Sequence, residues 1–439
     1  MNLLPPDTPK DWPQRSLAAV WHPCTQMARA QQVPPLPMAR GQGPWLFDYE
    51  GRRYFDANSS WWVNLFGHSD AALNEAIKAQ LDTLPHVMLA GCTHAPAVRL
   101  AERLSARTGG ALGHVFFGSD GASAVEIALK QSFHSWKNLG QLQRREFVCL
   151  QNGYHGETIG ALAVTDVQIF RDAYDPLLMR AHIAPSPDAR LDNEAQALQA
   201  MRELLQEHHE RVAAVIVEPL VQGAAGMVMH SAAYLRGLRA LTREFGVHLI
   251  ADEIAVGCGR SGRFLAWEHT EPASPADWPD FILLSKGITG GTLPLSLVLS
   301  TEAVFQAFWS QDVARGFLHS HSYTGNALAC AAANAVLDRF DAGLVAALAD
   351  QAAALSQAFE PLRSHPRVAH WRQCGMMLAF DVRDAAAGFA ERFHLAARAH
   401  ELLIRPIGAT VYVMPPYVID VATADWLAQA VSRTLNDVA

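Results

Sequence analysis

Short apolar runs alternate with helical stretches through the middle of this 439-residue chain, and this alternation restricts the fold more than any other feature. Each run has the length of a buried strand, and the helical stretches are long enough to connect one strand to the next. Strands joined in this way form a mostly parallel sheet with helices on both faces. The runs are HVFF at 114–117, FVCL at 147–150, VAAVIV at 212–217, VHLIA at 247–251 and FILL at 281–284.

The two ends of the chain have different patterns. Aromatic strands flank a turn at 48–51, which predicts a hairpin, and the chain is strongly helical after His319. A chain of this length forms more than one core. We expect an α/β fold with a large domain at 67–328 and a smaller α+β domain at 329–439, which the N-terminal segment 1–66 joins.

Composition and charge exclude several classes of protein. Half of the residues are hydrophobic and only 18% are charged, so the chain is able to bury a large core and is not disordered. The formal net charge of −8 disfavours binding to nucleic acid. The cysteines are far apart, no apolar run is long enough to cross a bilayer, and the first fifteen residues carry no apolar signal sequence. We therefore expect a cytoplasmic protein that binds neither nucleic acid nor membrane.

Charged residues stand at the ends of three predicted strands. Glu218, Asp252 and Lys286 each follow the end of one apolar run. In open parallel sheets the ligand lies beyond the carboxyl ends of the strands, so these side chains are expected to face one crevice. For any single strand, a charged residue that simply flanks the strand end is the more common explanation.

The chemistry of a lysine and an aspartate in one crevice suggests a particular cofactor. A lysine with a lowered pKa forms a Schiff base with an aldehyde, and pyridoxal phosphate supplies one. The same cofactor requires a carboxylate that keeps its ring nitrogen protonated. Lys286 and Asp252 therefore predict a site for pyridoxal phosphate.

Two further segments fit such a site. Residues 115–130 form a strand, a glycine loop and a helix whose N-terminus is suited to a phosphate. The same segment contains a capping box from Ser123 to Glu126, which is a purely structural use. Tyr154 follows another strand and could stack on a pyridine ring or simply pack at a domain boundary, and both explanations stay open.

Longer motifs continue this pattern over almost the whole chain. They are WHPCTQM at 21–27, SSWW at 59–62, HVMLAGCTHAP at 86–96, NGYHGET at 152–158, IVEPLVQGAAGM at 216–227, ADEIAVGCGRSG at 251–262, LSKGITGG at 284–291, HSHSYTGNALAC at 319–330 and IRPIGATVYVMPP at 404–416. Together they resemble the class III aminotransferases of PLP fold type I. Within that class they are similar to the 7,8-diaminopelargonate synthases of biotin biosynthesis, the adenosylmethionine-8-amino-7-oxononanoate aminotransferases. The resemblance implies a seven-stranded, mostly parallel sheet, pyridoxal 5'-phosphate as the cofactor, and a homodimer with shared active sites.

The resemblance also implies roles for individual residues. The catalytic set is Lys286, which bonds the cofactor, Asp252, which pairs with the pyridine nitrogen, and Tyr154, which lies beside the ring. Residues 320–322 are expected to reach the active site of the neighbouring subunit. The remaining cofactor-binding residues are Gly121, Ala122, His321 and Ser322, and the substrate-binding residues are Cys24, Trp61, Tyr154, Ser320, Arg405 and Tyr412.

The implied reaction transfers an amino group from S-adenosylmethionine to 8-amino-7-oxononanoate, and Arg405 is expected to bind the carboxylate of this keto acid. Lysine as the donor, or another class III ω-amino acid aminotransferase activity, remains an alternative. Trp61 and Trp62 favour S-adenosylmethionine because an indole face attracts a sulfonium cation. The departures from the usual residues of the family are Cys24 in place of tyrosine, Ala122 in place of serine and Ser322 in place of threonine.

Two motifs suggest other functions. GCGRSG at 257–262 matches the glycine pattern of dinucleotide-binding enzymes, but five residues separate it from the preceding strand and no clear helix follows. His319 and His321 alternate as metal ligands on a strand do, but no third ligand stands at a suitable spacing. We therefore predict neither a dinucleotide nor a metal.

Overall fold

The secondary structure is known for residues 11–438 from a computed structural model. The strands are β1 Met38–Gln42, β2 Trp45–Asp48, β3 Arg53–Asp56, β4 His114–Gly118, β5 Glu146–Leu150, β6 His182–Ala184, β7 Val212–Val217, β8 Val221–Gln222, β9 Val228–Met229, β10 His248–Asp252, β11 Phe281–Leu284, β12 Ser296–Ser300, β13 Val368–Cys374, β14 Met377–Val382, β15 Leu402–Leu403 and β16 Thr410–Val413. The helices and single helical turns are α1 Trp12–Ala19, α2 Met27–Ala30, α3 Ser59–Trp62, α4 Ala71–Thr83, α5 Ala95–Arg107, α6 Gly121–Asn138, α7 Ile159–Ala163, α8 Gln168–Arg171, α9 Glu194–His208, α10 Ala232–Glu244, α11 Glu302–Gln306, α12 Ala327–Asp341, α13 Leu344–Arg363, α14 Phe389–Arg398 and α15 Val421–Asp437.

A seven-stranded sheet with the order β4-β12-β11-β10-β7-β5-β6 forms the centre of the chain. Its neighbouring strands are parallel except at β12, which runs antiparallel to both β11 and β4. This arrangement confirms the predicted mostly parallel sheet. As a result, β4, β5, β7, β10 and β11 all end at the same edge of the sheet.

Side chains from alternate positions of the central strands enter two separate cores, one on each face of the sheet. On β11, Phe281 and Leu283 pack into one core with α6, while Ile282 and Leu284 pack into the other. Burial on both faces explains why these strands are continuous apolar runs rather than alternating ones. Within residues 11–438, no helix has the length and apolar character that a membrane crossing requires.

Residues from both ends of the chain share a smaller sheet of order β1-β2-β3-β15. The predicted hairpin at 48–51 is confirmed, since β2 and β3 pair antiparallel and Asp48 Oδ1 accepts the amides of Glu50 and Arg52, both at 2.9 Å. The parallel pairing of β15 with β3 supports our proposal that the segment 1–66 joins the small domain. Residues 1–10, which include most of the stretch searched for a signal sequence, lie outside the described residues.

The side chain of Arg260 ties the N-terminal segment to the C-terminal one. It is 1% exposed, and its guanidinium donates to Pro415 O at 2.7 Å and to Asn64 O at 2.8 Å. Longer contacts reach Met414 O and Trp62 O, both at 3.4 Å. The buried guanidinium of Arg260 therefore supplies hydrogen bonds to carbonyl groups of both the N-terminal and the C-terminal segment.

We expect Arg260→Leu to lower the free energy of unfolding by about 3 kcal/mol, because it leaves buried carbonyl groups without donors. Chemical denaturation of the wild-type protein and the variant measures the difference in free energy of unfolding. The matched control is Arg263→Leu, whose half-exposed guanidinium donates to Glu268 O and which we expect to cost less than about 1 kcal/mol. Equal losses in the two variants would contradict the role given to Arg260.

Candidate active site

A cavity of about 1070 Å³ opens at the edge where the parallel strands end. The loops after β5, β7, β10 and β11 supply one wall, and the N-terminal and C-terminal segments supply the other. The predicted site residues that line it are Cys24, Trp61, Gly121, Ala122, Tyr154, Asp252, Lys286, Arg405 and Tyr412.

Lys286 stands two residues beyond β11 in a left-handed conformation, with φ of 44°. Its Nζ lies 5.0 Å from the centre of the Trp62 ring. Burial holds the pKa of Lys286 below its usual value, although the carboxylates of Asp252 and Glu218 act in the opposite direction. The amine is thus held close to two acids in a site that favours its uncharged, nucleophilic form.

Asp252 is the last residue of β10 and is 4% exposed. Its Oδ2 lies 2.7 Å from His155 Nδ1, and its Oδ1 accepts the amide of Ile254 at 3.1 Å. These contacts fix the carboxylate at the floor of the cavity. In the sequence His155 was included only within the NGYHGET motif, and its place in the loop that follows β5 is the signal that could have identified it.

Glu218 is a second buried acid that belongs to the site. Its Oε1 accepts the amide of Tyr154 at 3.0 Å and its Oε2 accepts the amide of Gly223 at 3.0 Å. Burial raises the pKa of Glu218 to about 7. The sequence identified Glu218 as a strand-end charge but did not predict that it holds the loop carrying Tyr154.

Tyr154 lies in the cavity wall, and its hydroxyl donates to Glu157 Oε1 at 2.9 Å. Burial raises the pKa of this hydroxyl, and the charge of Glu157 adds to the rise. The phenol therefore stays protonated and serves as a hydrogen-bond donor. Its ring also packs against Phe170, with 5.4 Å between the ring centres.

The glycine loop begins α6, and its N-cap is Asp120, whose Oδ1 accepts the amide of Ser123 at 2.9 Å. The predicted capping box from Ser123 to Glu126 is therefore wrong. Ser123 lies inside the first turn, and Glu126 Oε1 instead accepts the amide of Gly160 at 2.7 Å. Glu126 reaches the first turn of α7 because α6 and α7 pack against each other.

The first amides of α6, those of Gly121 and Ala122, have no partner within the helix because no residue precedes them by a full turn. The backbone of Gly156 passes so close that a Cβ there would lie 2.6 Å from the Cβ of Ala122. Among residues 11–438 neither amide has an acceptor, so two donors stand at the positive end of a long helix that lines the cavity. The amine, the buried carboxylate and these donors together match the chemistry of pyridoxal phosphate.

The SSWW motif forms α3, in which all four residues have positive φ angles of 48–73°. Each such residue costs about 1–2 kcal/mol relative to a right-handed one. Asp56 offsets part of this cost, because Oδ1 accepts the amide of Ser60 at 2.8 Å and Oδ2 accepts its hydroxyl at 2.6 Å. The turn leaves Trp61 half-exposed in the cavity and buries Trp62, whose Nε1 donates to Tyr412 OH at 3.0 Å.

Arg405 and Cys24 stand on the wall formed by the chain ends. The backbone amide of Arg405 donates to Asn58 Oδ1 at 2.6 Å, while its guanidinium has no ion-pair partner among residues 11–438. Burial and the charge of Glu157 raise the pKa of the Cys24 thiol, which Arg405 partly counteracts. Cys24 is therefore a neutral thiol at neutral pH.

Residues 320–322 do not line the cavity of their own chain. Ser320 and Ser322 are exposed, and His321 Nδ1 lies 2.9 Å from Ser119 Oγ, beside the glycine loop. The role expected for these residues in a neighbouring subunit stays a prediction.

The two competing motifs occupy other environments. Within 257–262 the chain forms turns rather than a helix, and a Cβ on Gly259 would meet the side chains of Leu348 and Phe340. This glycine therefore packs against side chains of α12 and α13 rather than beside a phosphate. No group of three or more His, Cys, Asp or Glu side chains in the described part of the chain is arranged to hold a metal ion.

Comparison with known proteins agrees with this arrangement. The model of the family described as aminotransferase class-III matches residues 26–435. The adenosylmethionine-8-amino-7-oxononanoate aminotransferase of Helicobacter pylori is 42% identical, over 92% of this chain and 94% of its own, and that of Anoxybacillus flavithermus is 38% identical over 92% of each.

Solved structures of similar enzymes superpose on almost the whole chain. The same-named enzyme of Methanocaldococcus jannaschii has a TM-score of 0.93 at 31% identity and covers 98% of this chain and 99% of its own. A PLP-bound amine transaminase from an uncultivated Pseudomonas species has a TM-score of 0.89 at 31% identity and covers 96% and 99%. The chain belongs to the class III aminotransferases.

Proposed function

We propose that the chain is a pyridoxal 5'-phosphate-dependent aminotransferase that transfers an amino group from S-adenosylmethionine to 8-amino-7-oxononanoate and so produces 7,8-diaminononanoate for biotin biosynthesis. The observation that carries this proposal is that Lys286 and buried Asp252 line one cavity at one edge of the sheet, in a chain whose relatives bear that name. The reaction uses small-molecule substrates.

Several residues are suited to hold the cofactor. Asp252 would pair with the ring nitrogen, Tyr154 would lie beside the ring, and the free amides of Gly121 and Ala122 would bind the phosphate. When bound, pyridoxal phosphate supplies an aldehyde that takes up the amino group and a ring that withdraws electrons.

Lys286 then has the role of moving protons. Because burial lowers the pKa of Nζ, a larger fraction of the amine is unprotonated at neutral pH and able to accept a proton from the donor's α-carbon. The same Nζ returns a proton when the keto acid receives the amino group. Asp252, whose position is fixed by His155, would lie beside the ring nitrogen of the cofactor and stabilise positive charge there.

The substrate wall consists of Cys24, Trp61, Arg405 and Tyr412. The half-exposed indole of Trp61 offers a face to a sulfonium cation, which supports S-adenosylmethionine as the donor. The unpaired guanidinium of Arg405 supports binding of the keto acid's carboxylate. Cys24 is smaller than tyrosine and leaves more room on this side of the cavity.

A cytoplasmic homodimer is part of the same proposal. Large apolar side chains stand exposed along residues 309–323, including Trp309 at 71%, Leu318 at 79% and Tyr323 at 66% exposure. Contact with a second subunit would cover them and bring Ser320, His321 and Ser322 to the partner's cavity. All six cysteines are free thiols, which supports a reducing compartment.

We expect Asp252→Asn to lower the rate of the single-turnover proton transfer by about 10³-fold or more, because an amide cannot balance the ring's positive charge. Rapid-mixing absorbance of the pyridoxal form with donor measures this step. The control is Asp280→Asn, which alters a partly buried acid at the opposite end of the sheet that pairs with Arg239 at 2.7 Å. A near-normal rate in Asp252→Asn would show that this carboxylate serves only the fold.

The identity of the donor is tested by mixing the pyridoxal form with S-adenosylmethionine or with lysine. We expect S-adenosylmethionine to convert it rapidly to the pyridoxamine form and lysine to convert it at least 10-fold more slowly, because only the sulfonium gains from the indole face. Trp61→Leu should reduce this preference. Rapid conversion by lysine and none by S-adenosylmethionine would overturn the choice of donor while leaving the aminotransferase activity intact.

A further inference from the structure

Two arginines on the small-domain wall of the cavity, Arg398 and Arg405, lack an acidic partner among the described residues. The carboxylates that share this cavity interact with other groups. Their partners are His155 for Asp252, the amides of Tyr154 and Gly223 for Glu218, the Tyr154 hydroxyl for Glu157, and Arg29 for Glu391. Two guanidiniums thus line one cavity with no protein anion left to neutralise them.

The orientation of Arg398 is set by a buried histidine on the same helix. Nδ1 of His394 lies 2.8 Å from Ile404 O, and since a carbonyl only accepts, this nitrogen carries the hydrogen. Nε2 is then an acceptor, and it lies 3.0 Å from the Nη2 of Arg398. Burial lowers the pKa of His394 to about 4, so the ring stays neutral and keeps this role at neutral pH.

The charges of the two arginines act on each other. Arg398 has its pKa lowered chiefly by burial and also by the charge of Arg405. Two like charges that face one cavity are unfavourable unless an anion lies between them or beside them. A bound carboxylate would remove this cost and would accept hydrogen bonds from both guanidiniums.

The two arginines have different neighbours in the cavity wall. The charge of Arg405 acts on Tyr412, which accepts from Trp62, and the ring of Trp62 lies 5.0 Å from Lys286 Nζ. Arg398 acts on Tyr54 and, together with Arg405, on His394, and no contact among the described residues links it to the groups around Lys286. Arg398 is therefore suited to a carboxylate far from the reacting carbon, as in the keto acid, whereas the carboxylate of an amino acid donor is attached to the reacting carbon.

We propose that Arg398, oriented by His394, is a second binding residue for the terminal carboxylate of the keto acid and works together with Arg405. This inference rests on the proposed function. It means that α14 selects the keto acid by its chain length and its terminal carboxylate. No residue of this helix was singled out from the sequence.

The test compares the keto acid with its methyl ester, which lacks the negative charge. In Arg398→Leu we expect the KM for the keto acid to rise about 10-fold, the KM for the ester to stay within 2-fold, and the preference for acid over ester to fall accordingly. Arg398→Lys should restore part of the preference. The control Arg392→Leu alters an exposed arginine on the same helix and should match the wild type.

A second readout does not depend on turnover. Calorimetry of the pyridoxal-loaded protein with nonanoate, a carboxylate of matching length, should give a dissociation constant about 10-fold weaker in Arg398→Leu. An unchanged constant and an unchanged acid-to-ester preference would overturn the inference, as would equal losses for acid and ester, which indicate a structural role. If the wild type fails to aminate the keto acid, the proposed function fails, and the nonanoate measurement still decides the role of Arg398.

Discussion

The buried carboxylate of Asp252 is the group on which the arrangement of the cavity depends. It lies at the end of a strand buried on both faces, it is held by His155 at 2.7 Å, and its charge acts on Lys286. A charge in such a place is costly unless another group balances it. Hydrogen bonds from His155 and the amide of Ile254 supply part of that balance, and a protonated pyridine nitrogen would supply the rest.

The geometry that brings these groups together follows from the direction of the strands. Parallel strands place their carboxyl ends at one edge, so residues far apart in sequence, such as Asp252 and Lys286, share one cavity. The backbone around this cavity is strained, since Lys286 and all four residues of α3 have positive φ angles. Strain concentrated around a cavity is typical of sites whose geometry is fixed for chemistry.

The sequence predicted those parts of the structure that depend on local pattern. Five strands, the hairpin at 48–51 and the positions of Lys286 and Asp252 could be read from apolar runs and the residues that end them. The apolar run of β12 was not among the predicted strands, and the antiparallel direction of this strand depends on its neighbours β4 and β11 rather than on its own residues.

The pattern of apolar runs could not predict contacts between residues that are far apart in sequence. The partner of His155 is 97 residues away, and the acceptors of Arg260 come from both ends of the chain. The capping box was misplaced because Asp120 competes with Ser123 for the helix start, and sequence alone ranks both as good caps. Arg398 carries no motif, and only the cavity shows that it lies near Arg405.

The central claim, that Lys286 is the residue that bonds pyridoxal phosphate, is tested most directly by chemical trapping. The pyridoxal-loaded protein is reduced with sodium borohydride, which fixes the cofactor to its amine, and the digested peptides are analysed by mass spectrometry. We predict a single pyridoxyl group on the peptide that contains Lys286 and its loss in Lys286→Ala. A pyridoxyl group on another lysine, or none on the wild-type protein, would contradict the account.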